Sequence, residues 1–455
     1  MNHQLEESHS PPTGDLRLGS ATSLIIAVVI GVGIFTSTGF QAAALGHPMY
    51  ILALWFLGGL LALCGALCYA ELGAAMPYAG GEYVYLRESY GYTIAFMSGF
   101  VSLIAGFSAP IAAVLKSWVR YLGHFFPSLV EDSPYWGVVH INDWIAVGLV
   151  WILVAIHLLG IRSGTRFNDL ITLFKVASIV GILVAAAWFG KGDVAHLLYV
   201  SERYQELRLP DLFGAMANSL IFIMFCYSGW NASAYIASEI KNPKKLLPTS
   251  LLAGTGIVML LYIGLNVTYF YGANVDELAN QVEVGLVAAR HLFGPRGVTA
   301  VSVSLLVCLL SAASAMTVTG PRVYYALGCD FPAFRWLSRT SAKHHGPMNA
   351  LVLQGVVTSV IILSGRVDQI QQYVGFTITL FSCLAVSSVI VLRIRKPNLE
   401  RPFRTWGYPV TPLLFLTVSI WTLIWNFRGR PAESTLALLT VALAGLIFYL
   451  TRKRG

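Results

Sequence analysis

The sequence predicts an all-α integral membrane protein: twelve transmembrane helices, the first and sixth broken, forming two five-helix inverted repeats followed by helices 11 and 12. Three observations carry this reading. Of 455 residues, 56% are hydrophobic and only 11% charged, against about 25% charged in soluble domains; one water-soluble core could not hide so much apolar sequence. The apolar residues come in long blocks. Two of those blocks, five apart in order, are interrupted near their middles by glycine.

A hydrocarbon layer about 30 Å thick takes roughly 20 residues of helix. The apolar blocks run at about 20–45, 50–70, 92–115, 143–160, 169–189, 212–237, 248–271, 298–320, 348–364, 368–392, 408–426 and 434–451. The block at 298–320 holds no charged residue. The first block lacks the basic flank and small-residue cleavage site of a signal peptide. The segment before it, MNHQLEESHSPPTGDLR, is polar and proline-bearing and is expected to be disordered. The longest connections, at 116–142 and 190–211, are loop-sized, so no second folded domain is expected. The expected division is a tail at 1–18, a first repeat at 19–190, a second inverted repeat at 191–395, and the last two helices with a short C-terminus at 396–455.

The net charge of +8 reports orientation in a bilayer and not a nucleic-acid partner. Basic residues crowd into alternate connections: Lys241, Lys244 and Lys245; Arg335, Arg339 and Lys343; Arg393, Arg395, Lys396, Arg401 and Arg404; Arg452, Lys453 and Arg454. The intervening connections, with Lys116, Arg120 and Lys191 among their charges, are sparser. The positive-inside rule then places both termini in the cytoplasm of a multi-pass cell-membrane protein. Cys64, Cys68, Cys226, Cys308, Cys329 and Cys383 fall in spans or on the cytoplasmic side, so no disulfide is expected. Cys64 and Cys68 share a helix face, but no histidine or third cysteine joins them, so packing and not metal binding is expected.

The interruptions carry the chemistry. The first block reads SLIIAVVIGVGIFTSTGF, with Gly31 and Gly33 central; the sixth reads LIFIMFCYSGWNASAYIASEI, with Ser228 and Gly229 central. Glycines in a membrane helix can simply permit close packing. A break, in contrast, frees backbone N–H and C=O groups that lipid cannot satisfy, so it survives only where it lines a cavity or is buried in protein. Matched breaks in two halves point to a binding site at the bilayer midplane between inverted repeats. Freed N–H groups at a helix start attract a carboxylate, while freed carbonyls attract an ammonium group. A site with both suits an α-amino acid. IGVGIF follows no soluble strand and is no dinucleotide fingerprint.

At these residues the sequence resembles the amino acid–polyamine–organocation superfamily of permeases, over nearly the whole chain. The matching stretches are IGVGIF (30–35), CYAELGAAMPYAGGEYVYLRESYG (68–91), FCYSGWNASAYIASEIKNPKKLLP (225–248), GPRVYYAL (320–327) and RPFRTWGYPVTPLLF (401–415). The resemblance implies a bundle of spans 1, 2, 6 and 7 rocking against a scaffold, and amino acid transport. It implies that the substrate carboxylate meets the N–H groups of Val32 and Gly33 beside Gly31. It implies that the amino group meets the carbonyls of Val29, Phe225 and Ser228, that Phe225 acts as an outer lid, and that Asn231 offers an amide. Many family members carry serine where this chain has Val32, so a hydroxyl contact to the carboxylate is absent here.

Lys175 lies inside span 5, where a charge costs at least ~2.5–3.5 kcal/mol on insertion scales and marks function. Snorkelling to the membrane face is the alternative. In sodium-dependent relatives of the fold a cation bridges the broken helix to spans 5 and 8. The resemblance implies that the Lys175 ammonium takes that place, with Ser311 and Ser314 of span 8 as neighbours. Desolvation lets a buried amine gain and lose a proton, so sodium-independent transport is expected. Glu71 and Glu82 are expected to anchor loops to nearby bases, Ser238 and Glu239 to form a gate contact, and Asp169 to cap or line an interface. His344 and His345 give no metal pattern, and no cofactor is expected.

No acidic side chain is placed in the expected pocket, which favours small or medium neutral L-amino acids. Cationic amino acids or polyamines remain the alternative, through cation–π contact with Phe225 or Tyr227. Exchange and proton-coupled symport are both open. A channel would need a ring of selectivity groups, a transporter-like amino acid sensor a reporting domain, and an enzyme a nucleophile or metal constellation; none is legible. Some eukaryotic relatives are linked to a single-span heavy chain through a cysteine after span 3. Here that loop, HFFPSLVEDSPYWGVVHIND, has none, so no such disulfide-linked partner is expected.

Overall fold

The computed structural model describes residues 14, 16–78, 80–129, 135–136, 139–158, 164–206, 208–340 and 347–452. The tail before Gly14, Arg162, Lys343, His344, His345, Lys453 and Arg454 lie outside the described residues, as does the Arg166 side chain.

Apolar runs bounded by glycine, proline and polar residues become helices. They are α1 (Leu18–Val29), α2 (Val32–Leu45), α3 (Pro48–Ala75), α4 (Glu82–Tyr90), α5 (Tyr92–Val101), α6 (Ala109–Leu122), α7 (Ile141–Leu158) and α8 (Gly164–Phe189). After the short α9 (Glu202–Glu206) come α10 (Leu209–Tyr227), α11 (Ala232–Tyr235), α12 (Pro243–Gly272), α13 (Val275–Leu278) and α14 (Val284–Asp330). The last four are α15 (Met348–Ser364), α16 (Val367–Arg395), α17 (Val410–Gly429) and α18 (Pro431–Arg452). A π-helical segment, Ser102–Ser108, joins α5 to α6 into one continuous element. Two two-residue strands, Tyr135–Trp136 and Val139–His140, pair antiparallel in the following connection.

Among the described residues eleven helices, counting α1–α2 and α5–α6 once each, are long and apolar enough to cross a membrane. The block at 348–364, expected as the ninth of twelve spans, forms α15, which has only 17 residues and at 1.5 Å per residue reaches about 26 Å. The eighth block lies in α14, whose helical path breaks at Gly294. The sixth block ends as regular helix at Tyr227, ten residues before its expected limit of 237.

Burial sorts the helices into an interior set and a rim. In the Tyr92–Leu122 element 78% of the apolar window is buried, against 22% in Ile141–Leu158. Rim helices turn large apolar side chains outward, Trp188 being 79% exposed and Leu170 65%. Water would penalise such a surface at about 25 cal/mol per Å², and exposed apolar area this extensive marks a membrane-facing protein. The interior set includes α1–α2, α3, α5–α6, α10, α12, α14 and α16, and the two breaks meet within it.

Candidate functional site

In the first break, α1 stops at Val29 because Ile30 (ψ 85°) and Gly31 (φ −121°, ψ −152°) leave helical geometry before α2 starts at Val32. The freed carbonyls are occupied by protein donors. The Lys175 ammonium, fully buried, donates to the Ala27 carbonyl at 3.0 Å and to the Ile30 carbonyl at 2.9 Å. The Tyr262 hydroxyl on α12 lies 2.7 Å from the Val29 carbonyl and 3.0 Å from the Cys226 carbonyl, so one side chain spans both breaks. At the other edge, Val32 and Gly33 open α2, where N–H groups have no intrahelical acceptor, and Gly31 supplies no capping side chain.

In the second break, α10 ends at Tyr227, Ser228 is extended (ψ 140°), and Gly229 takes φ 95° before the one-turn α11. Only glycine adopts that φ freely. A Cβ there would also lie 2.5 Å from Val28 Cγ1. Across the pair, a Cβ on Gly33 would lie 2.5 Å from Cys226 Sγ. The two interruptions therefore touch at their glycines, which brings the dipole ends of four half-helices to one place.

Beside them lies a cavity of about 50 Å³, room for a few waters. From the breaks it is lined by Val28, Ser228, Gly229 and Asn231, and from the π segment by Ser102, Gly106 and Phe107. Of the residues expected from the sequence, Ser228 and Asn231 face this cavity. Val29, Gly31, Val32, Gly33, Phe225 and Tyr227 are buried but do not line it. Two of the carbonyls expected to hold an amino group already have donors: Val29 takes Tyr262, and Phe225 accepts the Ser228 N–H at 3.0 Å. Asn231 donates to the Tyr235 hydroxyl at 3.1 Å. Neither of the two serines expected beside Lys175 bonds to it: Ser314 pairs with His157 Nε2 at 3.1 Å, and the buried Ser311 hydroxyl has no hydrogen-bond partner among the described residues.

An acidic side chain does line the cavity, contrary to the expectation of none. Glu82, at the start of α4 and 8% exposed, forms part of its wall. The expected anchoring to a base is also corrected, since Glu82 makes no ion pair among the described residues. Instead it accepts hydrogen bonds from Tyr69 (2.9 Å) and Ser98 (3.4 Å). Burial pushes its carboxyl above the ordinary range, against the pull of the Tyr69, Ser98 and Ser102 hydroxyls. The signal was present in GGEYVYL, a carboxylate heading an apolar aromatic run with no base before Arg87. The π segment, which aims Ser102 and Phe107 at the cavity, left no mark in the helical pattern of the third block.

Glu71 does anchor as expected. Its carboxylate receives Arg393 at 2.9 and 2.7 Å and the Thr405 N–H at 2.7 Å, with Arg401 at 3.4 Å. The same end of the bundle is tied at three further points. Leu16 bridges to Ile240 in parallel, the Gly80 N–H donates to the Tyr235 carbonyl at 3.2 Å, and Glu239 lies 3.7 Å from Arg322. Asp169 accepts a 2.7 Å bond from Ser20, joining α8 to α1. The six cysteines are free, and no cluster of metal-binding side chains occurs among the described residues.

Residues 16–448 match the amino acid permease family model. The chain is 30% identical over 438 residues to the serine/threonine exchanger SteT of Bacillus subtilis (strain 168), covering 95% of this chain and 96% of that one. It is 28% identical over 449 residues to the human b(0,+)-type amino acid transporter 1 (97% and 89% covered), and 27% over 390 to the human cystine/glutamate transporter (84% and 74%). These relatives are transporters and not enzymes. With its paired helix breaks and its multi-span helical fold, the chain belongs to the amino acid permease family, within the amino acid–polyamine–organocation group that its sequence resembles.

Proposed function

We propose that this permease is a sodium-independent secondary transporter of small or medium neutral L-amino acids, working by alternating access in the cell membrane with both termini cytoplasmic. The observation that carries it is the Lys175 ammonium seated on the Ala27 and Ile30 carbonyls, where it supplies a positive charge at the end of the broken helix. A bound sodium ion would have to displace that ammonium. The substrate carboxylate is assigned to the open N–H groups of Val32 and Gly33. Since the Val29 and Phe225 carbonyls are already engaged, the amino group is assigned to the Ser228 carbonyl and the Asn231 amide, and the small cavity limits the side chain. The likeness to a serine/threonine exchanger supports small polar substrates, and exchange and proton-coupled symport are the two modes of coupling in this reading.

The test is counterflow in proteoliposomes with radiolabelled serine, alanine, leucine and arginine, with and without an imposed sodium gradient. Serine or alanine entry, unchanged by sodium, is the expected result; sodium-driven accumulation would sink the assignment of Lys175. A second reading, transport of cationic amino acids or polyamines, is favoured by Glu82 on the cavity wall, and arginine entry without serine entry would select it.

A further inference from the structure

We infer that Glu82 is a proton-binding site of the transport cycle, distinct from Lys175, protonated while the cavity is closed and ionised when the cavity opens toward the end of the bundle that carries the N-terminal segment. This rests on the transport reading above.

The surroundings of Glu82 support it from every side. The groups facing the carboxyl are hydroxyls: Tyr69 from α3, and Ser98 and Ser102 from α5 and the π segment. Behind them lie two further phenols, Tyr85 on its own helix and Tyr235 on α11. No lysine, arginine or histidine pairs with it among the described residues. The nearby bases are committed elsewhere: Arg87 to Asp330 at 3.0 Å, Arg393 to Glu71, and Lys396 to Glu88 at 2.6 Å. An unpaired carboxylate in such a place is disfavoured by desolvation, and the group takes up a proton instead. Hydroxyls can donate to the ionised form or accept from the protonated one, so both states can be held.

Glu82 is also positioned to report on opening. The adjoining Gly80 N–H is bonded to the Tyr235 carbonyl, and Tyr235 is bonded to Asn231, which lines the cavity from the second break. Separating α11 from the 80–82 turn would let water reach the carboxyl. Its O–H then breaks, the proton leaves on water, and a carboxylate remains. Reclosure requires that proton to return. Acid therefore favours the closed cavity, and alkali the open one.

The experiment uses the full chain in proteoliposomes under an imposed pH gradient, with the amino acid that gives the strongest counterflow. Carrying one proton per cycle, a gradient of one pH unit sustains about a tenfold substrate gradient. Wild-type protein should accumulate substrate to that order and lose accumulation when a protonophore is added. E82Q, which holds the neutral form permanently, should lose gradient-driven accumulation, and the counterflow it retains should no longer vary with pH. Y69F, which removes a donor favouring the carboxylate, should shift the pH at which accumulation fails toward alkali. Wild-type accumulation insensitive to protonophore, gradient-driven accumulation surviving in E82Q, or an unmoved midpoint in Y69F would each overturn the inference. So would a monodisperse E82Q that loses counterflow altogether, because that outcome assigns Glu82 to closure or substrate contact. Absence of counterflow by wild-type protein with every amino acid would overturn the transport reading itself.

Discussion

Lys175 and Tyr262 do similar work from opposite sides of the first break. Both bring a donor to carbonyls that α1 can no longer satisfy internally. A buried polar group left without a partner costs about 1–3 kcal/mol. Lys175→Ala strips both the Ala27 and Ile30 carbonyls, so it should lower the detergent melting temperature and reduce counterflow at least about tenfold. A fully active, equally stable K175A would remove the lysine from the mechanism. Tyr262→Phe keeps the ring, packed edge-on to Trp55, and removes only the hydroxyl that joins the Val29 and Cys226 carbonyls. It should slow exchange more than it weakens apparent affinity, as read by KM against maximal rate. An affinity loss with unchanged maximal rate would place Tyr262 in substrate contact instead.

The broken elements depend on backbone proximity that side chains would prevent. Gly33→Ala places a methyl 2.5 Å from Cys226 Sγ and 3.0 Å from its Cα, so α2 and α10 must part. Overpacking of this kind costs about 1–3 kcal/mol, and transport by G33A should fall well below wild type. Adding Cys226→Ala removes the sulfur and should restore part of the lost activity; no recovery in the double variant would show that the backbone contact, not the sulfur, is limiting. The Ser102–Ser108 segment is the third special element. Its extra residue per turn rotates Ser102, Gly106 and Phe107 onto the cavity wall, a common placement for π segments at functional sites.

Across the whole molecule, one end is closed by long-range ties that link helices far apart in sequence. Glu71 on α3 holds Arg393 of α16 and Arg401 beyond it. Removing one partner of a buried pair costs about 3–5 kcal/mol because the other charge is left bare. Glu71→Ala should therefore unfold at a lower temperature than wild type by size-exclusion thermal assay, and an unchanged profile would show that the two arginines find other partners. Much of this architecture was legible in the chain itself. Block length and the scarcity of charge predicted the spans, and the glycines at 31, 33 and 229 marked the breaks. Lys175 stood out because a charge inside a span is costly and marks function unless it snorkels to the membrane face. Glu82 did not, because it sits between spans, where a carboxylate reads as a loop anchor to a nearby base until α4 folds back against α3 and α5.

By itself the sequence determined that the chain is a bundle of apolar helices and where two of them must break, because both follow from local hydrophobicity and backbone freedom. Only the tertiary structure decided which freed groups stay free. Tyr262 comes from α12 to occupy the Val29 carbonyl, Lys175 comes from α8 to occupy Ile30, and Glu82 arrives at the cavity without a counter-charge among the described residues. Such pairings join residues separated by much of the chain and depend on which helix faces meet, which no local pattern encodes.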